Sequence, residues 1–295
     1  MAAISNFWQR VLTGSIFLFI MIGSIVLSFQ SFLLIFGIIV ILSTKEYLKI
    51  ASAFSSPNKL MVYIANITGF FLIAFILMFD NDWLSNPTPA FRMIKSFVAN
   101  RLLVFLILLF PILIITAEIF RKKEKSIENI AYSVLGFVYI AVPFMLLIQT
   151  FNPVIGNYNF RGPLAYFLLL WSTDSFAYVW GKLLGKHKLA PSISAGKTIE
   201  GTVGGILTTM GFAVALYFIF PSLGYSITQW IIYGGLIALF AVPSDLSESL
   251  LKRKAGLKDS GNLMPGHGGI LDRFDSVLLT APVVYIYITI INNIA

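Results

Sequence analysis

The sequence predicts an all-α, polytopic membrane protein with about nine transmembrane helices. Three observations lead there. Apolar side chains make up 58% of the 295 residues and charged ones 12%, about half the roughly 25% charged share of a soluble domain. Apolar windows approaching the roughly 20 residues that a helix needs to cross a bilayer recur almost from end to end. No polar block between them is long enough to fold by itself, so residues 1–295 are expected to form a single transmembrane domain.

The windows follow in order. Val11 to Phe29 comes after Arg10, and no small-residue cleavage site precedes the next apolar run. It is therefore expected to stay as the first span rather than leave as a signal peptide. Phe32 to Ala51 ends among Lys45, Glu46 and Lys49, Leu60 to Phe79 is the third span, and Leu102 to Phe120 ends beside Glu118. Lys45, Glu46 and Glu118 stand near helix ends and read as side chains reaching for the interface. Asp80 to Asn100, with Pro87 and Pro89, reads as the one long outer loop. Leu102 to Phe120 contains Pro111, and the fifth window, Ile130 to Gln149, contains Pro143. Both are tolerable kink sites where neighbouring helices satisfy the freed carbonyls. Leu164 to Trp180 carries Asp174 well inside it, and Gly201 to Phe220 opens on the G-x-x-x-G spacing of Gly201 and Gly205. That spacing suits close helix packing, within the chain or in a homodimer. Thr228 to Val242 and Ser276 to Ile291 are short and complete the set.

Basic charge alternates between the loops, as the positive-inside rule requires. With the N-terminus in the cytoplasm, only Arg92, Lys95, Arg101 and Arg161 of the 21 lysines and arginines fall outside. Nine spans then put the C-terminus outside. This asymmetry accounts for the net charge of +8, so no nucleic-acid partner is expected. Cysteine is absent and the only histidines are His187 and His267. Disulfides and thiolate metal sites are excluded, zinc is disfavoured, and any metal must be held by oxygen.

Candidate chemistry concentrates on the inner side. Asp174 lies inside its span, where charge is expensive and marks function by default. Pro243 is expected to break the preceding helix or begin a new one, with Ser244 as its N-cap. On that helix Asp245, Glu248, Ser249 and Lys252 fall at i, i+3, i+4 and i+7 and share one face. Gly256, Gly261, Pro265, Gly266, Gly268 and Gly269 then form a loop too rich in glycine for helix, of a kind whose bare amides bind phosphate. Asp272 and Asp275 follow at i, i+3 on the first turn of the last span. Carboxylates without thiols suit Mg²⁺, which commonly joins one or two of them to substrate phosphates. Neighbouring lysines and arginines neutralise charge on a transferring phosphoryl group. The combination reads as a magnesium and polyphosphate site at the cytoplasmic face. An earlier inner loop, Ser194 to Gly201, contains Gly196-Lys197-Thr198, which is like the end of a Walker A loop. Pro191 stands where that motif needs glycine, and no strand is expected before it, so the P-loop reading fails while a lysine and hydroxyl contact to triphosphate stays open. His187 reads as a surface side chain.

These residues resemble the phosphatidate cytidylyltransferase family, also called CDP-diacylglycerol synthases. Ser249, Lys252, Arg253, Lys258, Asp259, Gly261, Pro265, His267, Gly268, Gly269, Asp272, Arg273 and Asp275 meet the family's fixed pattern. The resemblance extends to Asp174-Ser175-Phe176-Ala177-Tyr178 and to Ser194–Gly201, and it is strongest over 130–295, the expected catalytic helices and loops. It is weaker over 1–129. Gly196 stands where the family carries lysine, and Met264 where a branched apolar residue or phenylalanine is usual.

The resemblance implies transfer of CMP from CTP to phosphatidic acid by a multi-pass protein of the cell (inner) membrane whose active site faces the cytoplasm, with pyrophosphate released. It implies Mg²⁺, with the number of cations left open, on Asp245 and Asp272, with Asp275, Asp174 and Glu248 as ligands of a second cation or as side chains that orient the first ligands. Lys252, Arg253, Lys258 and Arg273 would hold phosphates with Lys197 and the amides of Gly268 and Gly269. Ser194, Thr198, Glu200, Ser249 and His267 complete the expected substrate-binding set. Two other readings compete with it. A CTP-dependent kinase of a polyprenol-type lipid would need the same cation and basic residues. An ion-coupled transporter would spread acids through the bundle, whereas here they gather at one face.

Overall fold

The computed structural model describes residues 2–78, 89–152 and 158–294. They are overwhelmingly helical, in the all-α architecture of a polytopic membrane protein, with one small hairpin. In chain order the elements are α1 (Ala2–Leu27), α2 (Phe29–Ala51), α3 (Lys59–Met78), α4 (Pro89–Arg121), α5 (Ser126–Gly136), α6 (Val142–Thr150), α7 (Arg161–Leu184), β1 (Lys188–Ala190), β2 (Ser194–Thr198), α8 (Ile199–Ile219), α9 (Ile227–Lys254), α10 (Leu271–Phe274) and α11 (Val277–Ile294). Among the described residues seven helical segments are long and apolar enough to cross a membrane: α2, α3, most of α4, α5 with α6, α8, α9 and α10 with α11. The other two expected windows lie in α1, whose apolar part is Val11–Leu27, and in α7, where Ser172, Thr173, Asp174 and Ser175 lower the hydropathy.

Several boundaries differ from expectation, each for a local reason. The stretch read as a long outer loop is helical from Pro89 onward, because proline is well placed in a first helical turn; its part from 80 to 88 lies outside the described residues. Pro143 opens α6 behind a π-helical turn, Phe137–Ala141. The wider turn accommodates the missing N–H and the ring. Pro243 ends nothing, since α9 runs through it to Lys254. Ser244 is not a cap. Its hydroxyl donates to the Asp275 carbonyl and accepts from the Leu279 amide at 3.0 Å, which ties α9 to the start of α11. The last span opens as the single turn α10, so the i, i+3 spacing of Asp272 and Asp275 is not carried on one continuous helix.

The chain divides into two compact units. The first comprises residues 1–159 and 259–273. Its core is aromatic, with Phe29, Phe32, Phe36, Phe70, Phe137 and Phe144 all buried. Asn66, also buried, donates to Thr44 Oγ1 at 2.7 Å and to the Gly136 carbonyl at 3.3 Å, joining α2, α3 and α5.

The second unit comprises residues 160–258 and 274–295. There α7, α8, α9 and α11 pack together, with the β1–β2 hairpin between α7 and α8. Gly201 and Gly205 face α7: a Cβ on Gly201 would come within 2.6 Å of the Ala177 carbonyl, and one on Gly205 within 2.9 Å of Ala177 Cβ. The G-x-x-x-G spacing is therefore used inside this unit. Thr173 and Thr209 hydroxyls at 3.2 Å, and Trp180 Nε1 donating to Thr208 Oγ1 at 2.8 Å, add polar links across the same helix pair.

Candidate active site

In the second unit the polar stripe on α9 forms as its spacing dictates. Lys252 pairs with Glu248 one turn before it, and Ser249 donates to Asp245 Oδ1 at 3.3 Å. Glu248 is fully buried and Lys252 nearly so, so neither is an ordinary solvated helix charge. Lys197, on β2, reaches Asp245 as an ion pair. Asp275 lies within electrostatic reach of Asp245, Glu248 and Asp174. Its Oδ1 also accepts from the Ser276 amide at 2.5 Å and the Ser276 hydroxyl at 3.1 Å. Two of these four carboxylates, Asp245 and Glu248, thus pair with lysines. Neighbouring carboxylates favour a cation near them, because both ionised would repel.

Beside this cluster opens a cleft of about 390 Å³ whose walls include Asp174, Lys182, Ser194, Gly196, Lys197 and Thr198. The hairpin that forms one wall is held at several points. Thr198 caps α8, its hydroxyl accepting from the Gly201 amide at 3.1 Å. Glu200 accepts from the amides of Lys186 and His187, and its Oε1 is 2.6 Å from His187 Nδ1. Arg253 donates to the carbonyls of Ile193 at 3.4 Å and Leu257 at 3.2 Å, fastening the hairpin turn to the end of α9. That end is a Schellman motif, with Gly256 at φ 71° and the Leu257 amide bonded to the Lys252 carbonyl. Lys258 beyond it is exposed.

In the first unit the glycine loop is organised by carboxylates of the chain itself. Asp272 accepts from the Ser260 amide at 3.0 Å and the Gly269 amide at 2.7 Å. Glu46 accepts from the Ser260 hydroxyl at 2.9 Å and from the amides of Ile270 at 3.1 Å and Leu271 at 2.7 Å. Gly268 turns the chain at φ 84°, and His267 Nδ1 meets Thr13 Oγ1 at 3.0 Å. Arg273 is exposed. Glu46 and Glu118, read from sequence as interfacial, are both buried. Glu118 pairs with Arg121 at 2.6 Å and accepts from Asn129 at 3.0 Å. A carboxylate near a helix end looks the same in sequence whether it reaches for water or for a distant loop, so no local signal identified Glu46.

The donors present fit Mg²⁺. All are oxygens, and the second-unit cluster carries a formal surplus of negative charge. Among the described residues no three His, Cys, Asp or Glu side chains gather closely enough to hold a metal by themselves. Asp272 is oriented by the Ser260 and Gly269 amides.

A model of the cytidylyltransferase family matches residues 8–291. The phosphatidate cytidylyltransferase of Staphylococcus haemolyticus (strain JCSC1435) is 31% identical over 282 residues, 94% of this chain and 97% of that protein. Its namesake in Staphylococcus aureus (strain COL) is 37% identical over 177 residues, covering 59% of this chain and 65% of the relative. In Rickettsia bellii (strain RML369-C) a protein of the same name is 41% identical over 186 residues, 60% of this chain and 79% of the relative.

Proposed function

The chain belongs to the cytidylyltransferase family, and from that premise we propose that it transfers the cytidylyl group of CTP to phosphatidic acid, forming CDP-diacylglycerol and pyrophosphate. A phosphate oxygen of the lipid attacks the α-phosphorus of CTP. The new P–O bond forms as the bond from the α-phosphorus to the bridging oxygen breaks, and pyrophosphate leaves with the electron pair. The nucleophile is already an anion, so no serine or cysteine has to be activated. What remains for the protein is positioning and neutralisation of charge.

The observation that carries this reading is the cluster of Lys197, Asp245 and Asp275 beside the second-unit cleft. Lys197 is proposed to move between Asp245 and the triphosphate, with Ser194 and Thr198 as neighbouring hydroxyls. Lys252, Arg253, Lys258 and Arg273 are proposed to hold phosphate charge, and His267, Gly268 and Gly269 to border the substrate. Asp245, Asp272 and Asp275 are the proposed Mg²⁺ ligands. When bound, the ion supplies charge neutralisation on the phosphate oxygens. Asp174 and Glu248 keep the surrounding field negative and so favour a cation. The active face is proposed to be cytoplasmic, on the same side as the N-terminus, because that is where the basic loops gather.

The test is to incubate purified protein in detergent with phosphatidic acid, Mg²⁺ and CTP labelled in the base. Label in the lipid phase, with equimolar pyrophosphate, is the expected result. Label that stays in water while γ-phosphate label enters a lipid alcohol would overturn the reading in favour of a kinase.

A further inference from the structure

Glu46 is neither a proposed metal ligand nor a proposed phosphate contact, yet both of its carboxylate oxygens are engaged by the glycine loop. It sits on α2 with 8% of its surface exposed, and both carboxylate oxygens are engaged. Oε1 accepts from the Ile270 amide at 3.1 Å, and Oε2 from the Leu271 amide at 2.7 Å and the Ser260 hydroxyl at 2.9 Å. Ile270 and Leu271 are themselves buried, so no water stands ready to replace those acceptors. The loop is also shaped around the group. A Cβ on Gly261 or on Gly269 would collide with the Glu46 carboxylate.

Ser260 connects this carboxylate to the one in the family motif. Its hydroxyl donates to Glu46, while its own amide donates to Asp272. The Gly269 amide, one residue before the pair held by Glu46, is the other donor to Asp272. The loop therefore lies between two carboxylates, and the placing of one is coupled to the placing of the other through Ser260 and the 269–271 backbone.

We propose that Glu46 is a positioning residue for the reaction: its carboxylate fixes the loop from Ser260 to Leu271 so that the Ser260 and Gly269 amides hold Asp272 in its working orientation. Glu46 touches neither substrate. It acts through the loop, and the proposal rests on the transferase reading for its catalytic consequence.

Two measurements on the full-length protein test it, made on wild type, Glu46→Gln, Glu46→Asp and Ser260→Ala. Glutamine keeps the size of glutamate but points an NH₂ group at one of the donors. Glu46→Gln is expected to lower kcat by about tenfold or more, the scale of losses from groups that orient ligating carboxylates. KM for CTP should stay within about threefold, because no ground-state contact to the nucleotide is removed. Hydrogen exchange should quicken in peptides covering 260–271 and not in those from α2 or α3. Glu46→Asp should recover part of the rate, and Ser260→Ala should show a smaller fall of the same kind. Wild-type kcat and wild-type exchange in both Glu46→Gln and Ser260→Ala would overturn the proposal. So would a loss of rate accompanied by faster exchange throughout α2 and α3, which would make Glu46 a fold residue only. A wild-type protein that labels no lipid would sink the transferase reading instead, while the exchange arm would still decide whether Glu46 fixes the loop.

Discussion

Lys197 is the residue on which the proposed second-unit site turns, because it both lines the cleft and pairs with Asp245. Lys197→Met keeps the length and removes the charge. It is expected to lower kcat/KM for CTP by roughly 10²–10³, the cost of losing one donor to developing phosphoryl charge, as read by base-label transfer. Its neighbour Gly196 allows the opposite experiment. A Cβ there meets nothing within 4 Å, and the position is lysine in the resembling family pattern. Gly196→Lys should leave thermal stability unchanged and lower KM for CTP by about threefold, the scale of a weak exposed charge contact; a raised KM would place that rim away from the triphosphate. The α9 stripe of Asp245, Glu248, Ser249 and Lys252 was legible because it recurs at helical spacing. Glu46 was not, since what gives it meaning lies 214 to 225 residues along the chain.

Among the elements, α9 differs most from its reading. Proline in a helix interior usually costs about 3 kcal/mol and often marks an end, but here Pro243 sits where Ser244 binds the head of α11. Tertiary contact outweighs the local breaker, a balance no single window of sequence reveals. The hairpin was equally hidden, since β1 and β2 are three and five residues long, too short to establish an alternation. The glycine spacing on α8 was visible, and only the identity of its partner was open. Gly205→Ala drives a methyl against Ala177 on α7 and should destabilise the protein by about 1–3 kcal/mol, seen as a lower Tm in detergent, with KM for CTP unchanged in the folded fraction.

At the scale of the molecule the composition already required a membrane, and the helices follow nearly every apolar window. Orientation is the property to measure. The chain has no cysteine, so single replacements report without background. Lys123→Cys should react with an impermeant maleimide only from the cytoplasmic side, and Ser222→Cys only from the opposite side; the reverse pattern would invert the proposed topology. Chelation by EDTA should abolish turnover and excess Mg²⁺ restore it, with the helical signal in circular dichroism unchanged throughout. The first unit also imposes an order on biogenesis. Its helices leave the ribosome early, but residues 259–273 that complete it emerge only after most of the second unit has been made. At about 5–20 residues per second, Glu46 waits roughly 10–40 s for Ser260. During that interval a newly inserted α2 carries an acidic group with none of its final donors, so a nascent chain stalled before residue 259 should be the form that quality-control proteases in the membrane take first.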